Sequence, residues 1–369
     1  MLPMIPRIPP RTRYQGSKRK LLAWIDACIG DRPVSSAIDL MSGTSSVAYH
    51  FKAKGWKVGV NDYLRCNYLT AVAFIENAAT TLSDADVEFL LSEPPDDADY
   101  RFIRNTFQGY FFTQPENTWV DRRIARIEQL GGLYGASSLK YKRALAFHAL
   151  SQAALMKRPF NLFHRRNLNL RTRQAERSFG NKTTWDTPFH VLFRRLCSEG
   201  NEAVFSNGMR NRAYNYPAED LRVRSDFDLV YLDPPYFAEG RERARSDYRL
   251  LYHFIEGMAR YPDWPDLIDR QDSRLALHRT HNGTGPFGCT VAEQNDVLLE
   301  WLRAILARWR NSILVLSYKA PGIPSARSLR QLMLEYKSKV TVHRKAYTYA
   351  LSKRNGVPRE NIELLLIGE

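Results

Sequence analysis

Apolar and polar positions follow two different periods along this chain. Residues 36–61 contain a short apolar run (Ala37-Ile38-Asp39-Leu40), a small-residue loop, a helix-like stretch and a second apolar run (Val58-Gly59-Val60). This succession predicts a β-α-β unit. Apolar runs of the same kind return at residues 227–232 and 312–317, with a helix-period segment at about 292–310 between them. The pattern therefore predicts a parallel α/β sheet interrupted by a long insertion.

The interval between these runs is predominantly helical in pattern. Residues 117–130 and 139–156 carry apolar side chains at helical spacing, and residues 157–182 are dense in Arg and Lys with interleaved Phe. A strand-like pair at 341–349 and 363–367 closes the chain. We expect a Rossmann-like α/β domain of residues 1–63 and 227–369. Residues 64–226 are expected to form an inserted helical and basic domain.

Charge adds a class of partner to this picture. The 369 residues carry a formal net charge of +15, which favours a polyanionic partner because Lys and Arg side chains release counterions from phosphates. A basic enzyme without a nucleic-acid partner remains the alternative. The four cysteines form no Cys-x-x-Cys pair, so neither a zinc site nor a disulfide framework is indicated. No metal, no membrane association and a cytoplasmic location are expected.

The tetrapeptide Asp233-Pro234-Pro235-Tyr236 follows an apolar strand, at the strand end where open α/β sheets bind ligands. The Asp233 carboxylate and the Pro234 carbonyl can accept both hydrogens of an aromatic amino group, and Tyr236 offers a flat face for a base. Such acceptors localise the nitrogen lone pair for attack on an activated methyl group. The alternative is an ordinary proline-containing turn after a buried strand.

A second candidate site lies in the first β-α-β unit. Asp39 ends the first predicted strand and is followed by a small-residue loop containing Gly43, whose backbone can approach a ligand closely. Asp62 ends the next strand, where an acid commonly binds ribose hydroxyls. This pattern suits a nucleoside-bearing donor, although an ordinary βα turn would show it too.

Three segments in this order resemble the Dam-like class of adenine-specific DNA methylases: residues 14–18 (Tyr-Gln-Gly-Ser-Lys), residues 39–47 with Asn61-Asp62, and residues 233–236. The resemblance implies S-adenosylmethionine as the methyl donor, a flipped adenine in duplex DNA as the acceptor, and a methyltransferase sheet that ends in a reversed C-terminal strand. It also implies donor contacts from the following residues: Tyr14, Lys18, Asp39, Gly43, Asp62 and Asp233. Two positions depart from the family pattern, since Met41 replaces a usual Phe and Ser45 a frequent Gly.

The resemblance places target recognition in the inserted domain. We expect DNA contacts there from basic and amide side chains that can reach phosphates or base edges. These candidates are Lys157, Arg158, Asn161, His164, Arg165, Arg166, Arg171, Arg173, Arg177, Asn181 and Lys182. A solvated basic loop is the alternative for each of them.

The predicted function is methyl transfer to the N6 amino group of adenine by base flipping and direct in-line transfer, with Asp233, Pro234 and Tyr236 as the catalytic residues. A cognate restriction endonuclease is a further possible partner. Amino methylation of cytosine, RNA or a protein amide uses the same chemistry and stays open. A DNA-binding protein with an inactive methylase-like fold is the alternative from another class.

Overall fold

The computed structural model describes residues 8–173, 182–224, 226–235, 247–278, 294–354 and 357–369. Within these residues the chain forms two compact units. The sheet unit comprises residues 18–63, 208–247 and 279–369, and the helical unit comprises residues 1–17, 64–207 and 248–278. The helical unit thus includes residues 1–17 and 248–278, which the sequence analysis placed with the α/β domain.

A seven-stranded sheet is the framework of the sheet unit, with the strand order β3-β2-β1-β4-β5-β7-β6. The first five strands run parallel, and β7 pairs antiparallel with both β5 and β6. The predicted α/β sheet with a reversed C-terminal strand is therefore confirmed. The strands are β1 (Ser36–Asp39), β2 (Lys57–Asn61), β3 (Arg212–Tyr214), β4 (Leu229–Leu232), β5 (Ile313–Ala320), β6 (Val340–Arg354) and β7 (Val357–Gly368).

The two faces of the sheet differ in chemistry because side chains alternate along a strand. On one face, Val230 and Leu232 of β4, Leu316 of β5 and Leu364 of β7 belong to a continuous apolar core. That core also contains the buried side of the helix Gln294–Arg308 and of the helix Ala326–Leu334. Residues at the alternate positions of the same strands face the other side, and the polar groups described below belong to this set.

Helices flank both faces of the sheet. The helix Ser46–Ala53 connects β1 to β2 and contacts both strands, and the helix Leu22–Ile29 contacts β7. A 3-10 turn, Lys18–Leu21, opens the helix Leu22–Ile29. Ser325 Oγ accepts a hydrogen bond from the Ser328 amide and caps the helix Ala326–Leu334.

The helical unit is built around the long helix Ala136–Met156, which packs against the helices Gln114–Gln129 and Phe189–Ala203. A π-helical turn, Val72–Glu76, and the 3-10 turns Leu130–Gly132, Pro159–Asn161 and Tyr261–Asp263 also belong to it. Its other α-helices are Arg65–Ala71, Asp84–Leu91, Phe102–Thr106, Asn169–Thr172, Lys182–Asp186, Tyr248–Leu251, His253–Ala259 and Trp264–Leu267. None of the helices in the described part of the chain is long and apolar enough to cross a membrane.

Candidate active site

Three carboxylates meet at the carboxyl ends of adjacent strands of the sheet unit. Asp39 ends β1, Asp62 follows β2 and Asp233 follows β4, and β1 lies between the other two strands. Asp39 pairs in register with Tyr231, two residues before Asp233, so both carboxylates lie on the same face. Asp39 interacts electrostatically with both of the other carboxylates. The structure thus brings together the three acids that the sequence analysis singled out.

Asp39 is almost completely buried, with 1% of its surface exposed. Burial raises its pKa well above the ordinary value, and the negative charge of Asp233 acts in the same direction. The backbone amides of Met41 and Ala48 act in the opposite direction. A buried carboxyl group among like charges is stabilised by a ligand that brings hydrogen-bond donors or positive charge.

The loop between β1 and the helix Ser46–Ala53 is held by backbone hydrogen bonds to the end of β2. The Gly43 amide donates to Asp62 Oδ2 at 2.8 Å, and the Ser42 amide donates to the Asn61 carbonyl oxygen at 3.0 Å. The buried Asn61 side chain donates to the Leu40 carbonyl oxygen at 3.1 Å. Asn61 therefore ties β1 to β2 just below the loop, a structural role that its position in the sequence did not reveal.

Ser45 has left-handed backbone angles, with φ 57° and ψ 20°. Glycine adopts these angles without steric cost, whereas a residue with a Cβ atom pays about 1 kcal/mol or more. This backbone conformation explains why glycine, which is frequent in the family pattern at the position of Ser45, is favoured there. Ser45 Oγ, Ser42 Oγ and Asp39 Oδ1 are buried and have no hydrogen-bond partner among the described residues, so this loop offers unsatisfied oxygen atoms that suit a polar ligand.

Lys18 provides the positive charge at this edge of the sheet. Its Nζ lies 3.0 Å from Asp233 Oδ1, and the two side chains are 4% and 19% exposed. Burial raises the pKa of Asp233, while the ammonium group of Lys18 lowers it. The residues that the resemblance assigns to donor binding in the sheet unit, namely Lys18, Asp39, Gly43, Asp62 and Asp233, are thus clustered.

Tyr14 belongs to the helical unit, where its ring stacks on Tyr252 with centroids 4.2 Å apart and planes 8° apart. The Gln15 amide donates to the Tyr252 hydroxyl at 2.6 Å. Gly16 has φ 86°, and a Cβ atom there would lie 2.7 Å from the Tyr248 hydroxyl. The residues after Asp247 therefore hold the segment that contains Tyr14, and Gly16 is required by both backbone angle and space.

The Asp-Pro-Pro-Tyr segment is described only in part. Pro234 is buried directly after Asp233, while Tyr236 lies outside the described residues. His253, in the segment that follows, is fully buried and its Nε2 lies 3.1 Å from the Phe163 carbonyl oxygen. Burial lowers the pKa of His253 to about 4, so this side chain is a packed, hydrogen-bonded histidine.

The basic segment divides into buried and exposed residues. Arg158 is 1% exposed and donates to the carbonyl oxygens of Leu162 at 3.2 Å, Phe111 at 3.1 Å and Arg165 at 2.7 Å. Burial lowers its pKa to about 9. One guanidinium group thus binds three backbone carbonyl oxygens of the helical unit, so the contacts of Arg158 lie inside the protein.

Two further cations of this segment share the carboxylate of Glu116. Lys157 Nζ lies 3.0 Å from Glu116 Oε1 and donates to the Trp185 carbonyl oxygen at 2.6 Å. Arg171 donates to both Glu116 oxygens, at 3.1 and 2.6 Å. These two side chains are 4% and 7% exposed. In the structure they connect parts of the helical unit.

The remaining candidates for DNA contact are more accessible. Arg166 is exposed, donates to the Tyr110 hydroxyl at 2.6 Å and lies over its ring. Asn161 and His164 are partly exposed. The exposed cations of the set are Arg165, Arg166, Arg173 and Lys182. Arg177 and Asn181 lie outside the described residues.

Comparison with known families agrees with this geometry. The family model for the D12 class of N6 adenine-specific DNA methyltransferases matches residues 14–254. The match covers more than half of the chain and contains all three motifs, so the chain belongs to this family. It is an adenine-specific DNA methyltransferase.

Individual relatives are a type II methyltransferase and two modification methylases. The type II methyltransferase M2.HphI of Haemophilus parahaemolyticus is 29% identical over 85% of this chain and 93% of its own length. The modification methylase StsI of Streptococcus sanguinis is 23% identical over 96% of this chain and 51% of its own length. The modification methylase LlaI of Lactococcus lactis is 22% identical over 71% of this chain and 40% of its own length. The last two enzymes are thus much longer than the matched region.

Proposed function

We propose that the enzyme uses S-adenosylmethionine as its methyl donor and binds it at the sheet edge formed by Asp39, Asp62 and Asp233. The observation that carries this proposal is the convergence of three carboxylates and Lys18 on adjacent strand ends. When bound, this donor supplies a methyl group on a positively charged sulfonium. A pocket edge rich in carboxylates suits a cation.

Particular atoms fit the polar groups of such a donor. Asp39 Oδ1, Ser42 Oγ and Ser45 Oγ can satisfy hydrogen-bond donors of the ligand. Asp62, oriented by the Gly43 amide, is placed as an acceptor for ribose hydroxyls. Tyr14 stays in the proposed donor-binding set on the strength of the family resemblance.

Asp233 and Pro234 are proposed to act on the adenine. The Asp233 carboxylate and the Pro234 carbonyl oxygen accept the two amino hydrogens, which withdraws the nitrogen lone pair from the ring. A donor bound beside this nitrogen would supply the methyl carbon in line: its C–S bond would break to leave the neutral thioether S-adenosylhomocysteine, and the amino group would lose one proton, without a covalent enzyme intermediate. The Asp233 carboxylate stabilises the cation that develops on this nitrogen by about 3 kcal/mol. Tyr236 completes the proposed catalytic set as a stacking partner of the base.

We propose that residues 64–226 recognise the target sequence. The exposed cations Arg165, Arg166, Arg173 and Lys182 are the proposed phosphate and base contacts. Arg177 and Asn181 remain proposed on their residue type alone. Phe160, in the same basic segment of the sequence, is half exposed and has a left-handed conformation (φ 61°), and such an exposed aromatic can stack on an unpaired base. We propose that Lys157, Arg158 and Arg171 instead hold this surface in shape from within.

A cognate restriction endonuclease is proposed as a functional partner because the relatives are a type II methyltransferase and modification methylases. Genomic DNA from cells that express this chain, sequenced with detection of methylated bases, should show N6-methyladenine in one sequence context. DNA from cells without it provides the baseline. Calorimetry with S-adenosylmethionine tests the donor separately, and absence of binding by the folded enzyme would overturn the proposed donor site.

A further inference from the structure

The buried carboxylate of Glu363 reaches the candidate active site from the last strand of the sheet. Glu363 lies on β7 with no exposed surface, and its Oε2 is 3.7 Å from Lys18 Nζ, the same ammonium group that pairs with Asp233 at 3.0 Å. The residue is outside the range matched by the family model, which ends at residue 254. Nothing in the sequence motifs points to it.

Burying this carboxylate has a cost that the local contacts do not offset. Neither oxygen of Glu363 has a hydrogen-bond partner among the described residues, and 3.7 Å is too long for a hydrogen bond. Burial raises the pKa of Glu363 to about 6, with Lys18 lowering it and Asp233 raising it. An apolar residue of similar size would be at least as stable at a buried position of this kind. The stability of the fold therefore does not by itself explain why a charged residue occupies position 363.

The charges that face Glu363 come from four elements. Lys18 approaches from the 3-10 turn and Asp233 from the end of β4. Lys319 of β5 and Lys345 of β6 are its register partners on the neighbouring strands, and Lys319 lowers the pKa of Glu363. The Tyr347 hydroxyl of β6 also interacts with it electrostatically.

Lys18 alone would neutralise Asp233 and weaken it as an acceptor. With Glu363 on the ammonium group as well, Lys18 is shared between two carboxylates. Glu363 thus offsets one of the cations that surround it, namely Lys18, Lys319 and Lys345, so the edge where a cationic donor is proposed to bind is less positive than it would be without this carboxylate. A second effect is geometric, because two anions restrict the Lys18 side chain more than one does.

We propose that Glu363 is a positioning residue for methyl transfer, which fixes Lys18 against Asp233 and reduces the positive charge at the proposed donor site. This inference rests on the proposed donor and on the assigned role of Asp233. It predicts an effect that depends on ligand charge, since S-adenosylmethionine carries a sulfonium cation and its demethylated product, S-adenosylhomocysteine, carries a neutral thioether.

The test compares the binding of these two ligands by calorimetry to the full-length wild type, Glu363→Gln and Glu363→Asp. Glu363→Gln keeps the shape and removes the charge, and should weaken S-adenosylmethionine on the order of tenfold while changing S-adenosylhomocysteine less than about twofold. Glu363→Asp should recover most of the difference. Thermal unfolding of each variant verifies that it is folded.

Asp228→Asn is the matched control. Asp228 precedes β4 at the opposite end of the sheet, where its Oδ2 accepts from the Ser35 and Ser36 amides at 2.8 and 2.9 Å, so its loss should affect both ligands equally. Equal weakening of both ligands in Glu363→Gln, or no weakening of either, overturns the inference. Failure of the wild type to bind either ligand instead contradicts the proposed donor site, which keeps the two failures distinct.

Discussion

Replacing Arg158 tests whether this buried arginine stabilises the basic segment through internal hydrogen bonds or binds DNA. Arg158→Met keeps much of the side-chain volume and leaves four acceptors without their donor, namely the carbonyl oxygens of Phe111, Leu162 and Arg165 and the Asn167 side chain. A buried acceptor left without a donor costs about 1 to 3 kcal/mol. Part of this lost stability is recovered because the substitution also removes a buried charge. Burial of that charge is unfavourable, since it lowers the pKa of Arg158 to about 9.

We therefore expect Arg158→Met to lower the free energy of unfolding by about 3 kcal/mol, measured by urea denaturation. Arg165→Met is the matched control, since Arg165 is an exposed arginine of the same segment. It should change stability by less than about 0.5 kcal/mol and reduce the slope of log Kd for DNA against log salt concentration by about 0.9. If Arg158→Met were as stable as the wild type and reduced the salt slope as much as Arg165→Met does, the interpretation that Arg158 stabilises the segment internally would be refuted.

Other predictions concern stability. Ser45→Gly should raise the free energy of unfolding by about 1 kcal/mol because glycine adopts the left-handed angles without strain; Ser46→Gly, inside the following helix, should lower it, and denaturant titration distinguishes the two. Burial lowers the pKa of His148 and His253 to about 4, so each stabilises the fold fully above pH 6.5 and loses up to about 3 kcal/mol towards pH 4; single Gln variants should show a shallower acid dependence. The pKa of Glu363 is raised from 4.5 to about 6, so the stability of the wild type relative to Glu363→Gln should fall by about 2 kcal/mol as the pH rises from 4 to 7, and equal pH profiles would contradict this.

The strand ends of the proposed donor site could be predicted from sequence because each depends on a local pattern. Asp39, Asp62 and Asp233 each follow a short apolar run, and parallel strands place such ends at one edge. The reversed strand was predicted from family resemblance, and the short edge strand Arg212–Tyr214 was not predicted because it has little apolar alternation. Its pairing with β2 depends on tertiary contacts.

Other features of the site depend on contacts between distant parts of the chain. Glu363 reaches Lys18 across 345 residues of sequence, and its neighbours in the chain form an ordinary buried strand. In the sequence, Lys157 and Arg158 resemble DNA-binding cations. Composition does not reveal that Arg158 is bound by carbonyl oxygens, and Lys157 by Glu116, inside the fold. Periodicity predicts burial of apolar residues well, but it does not predict burial of charged ones.

Asp233, paired with Lys18 at the end of β4, is the residue that we propose supports methyl transfer to the amino group of adenine. The most direct measurement is single-turnover transfer of labelled methyl groups from S-adenosylmethionine to unmethylated duplex DNA, followed by nucleoside analysis. The wild type should label only N6-methyldeoxyadenosine, and Asp233→Asn should be at least about a hundredfold slower with DNA affinity unchanged. Label in deoxycytidine, or near-normal transfer by Asp233→Asn, would contradict the account.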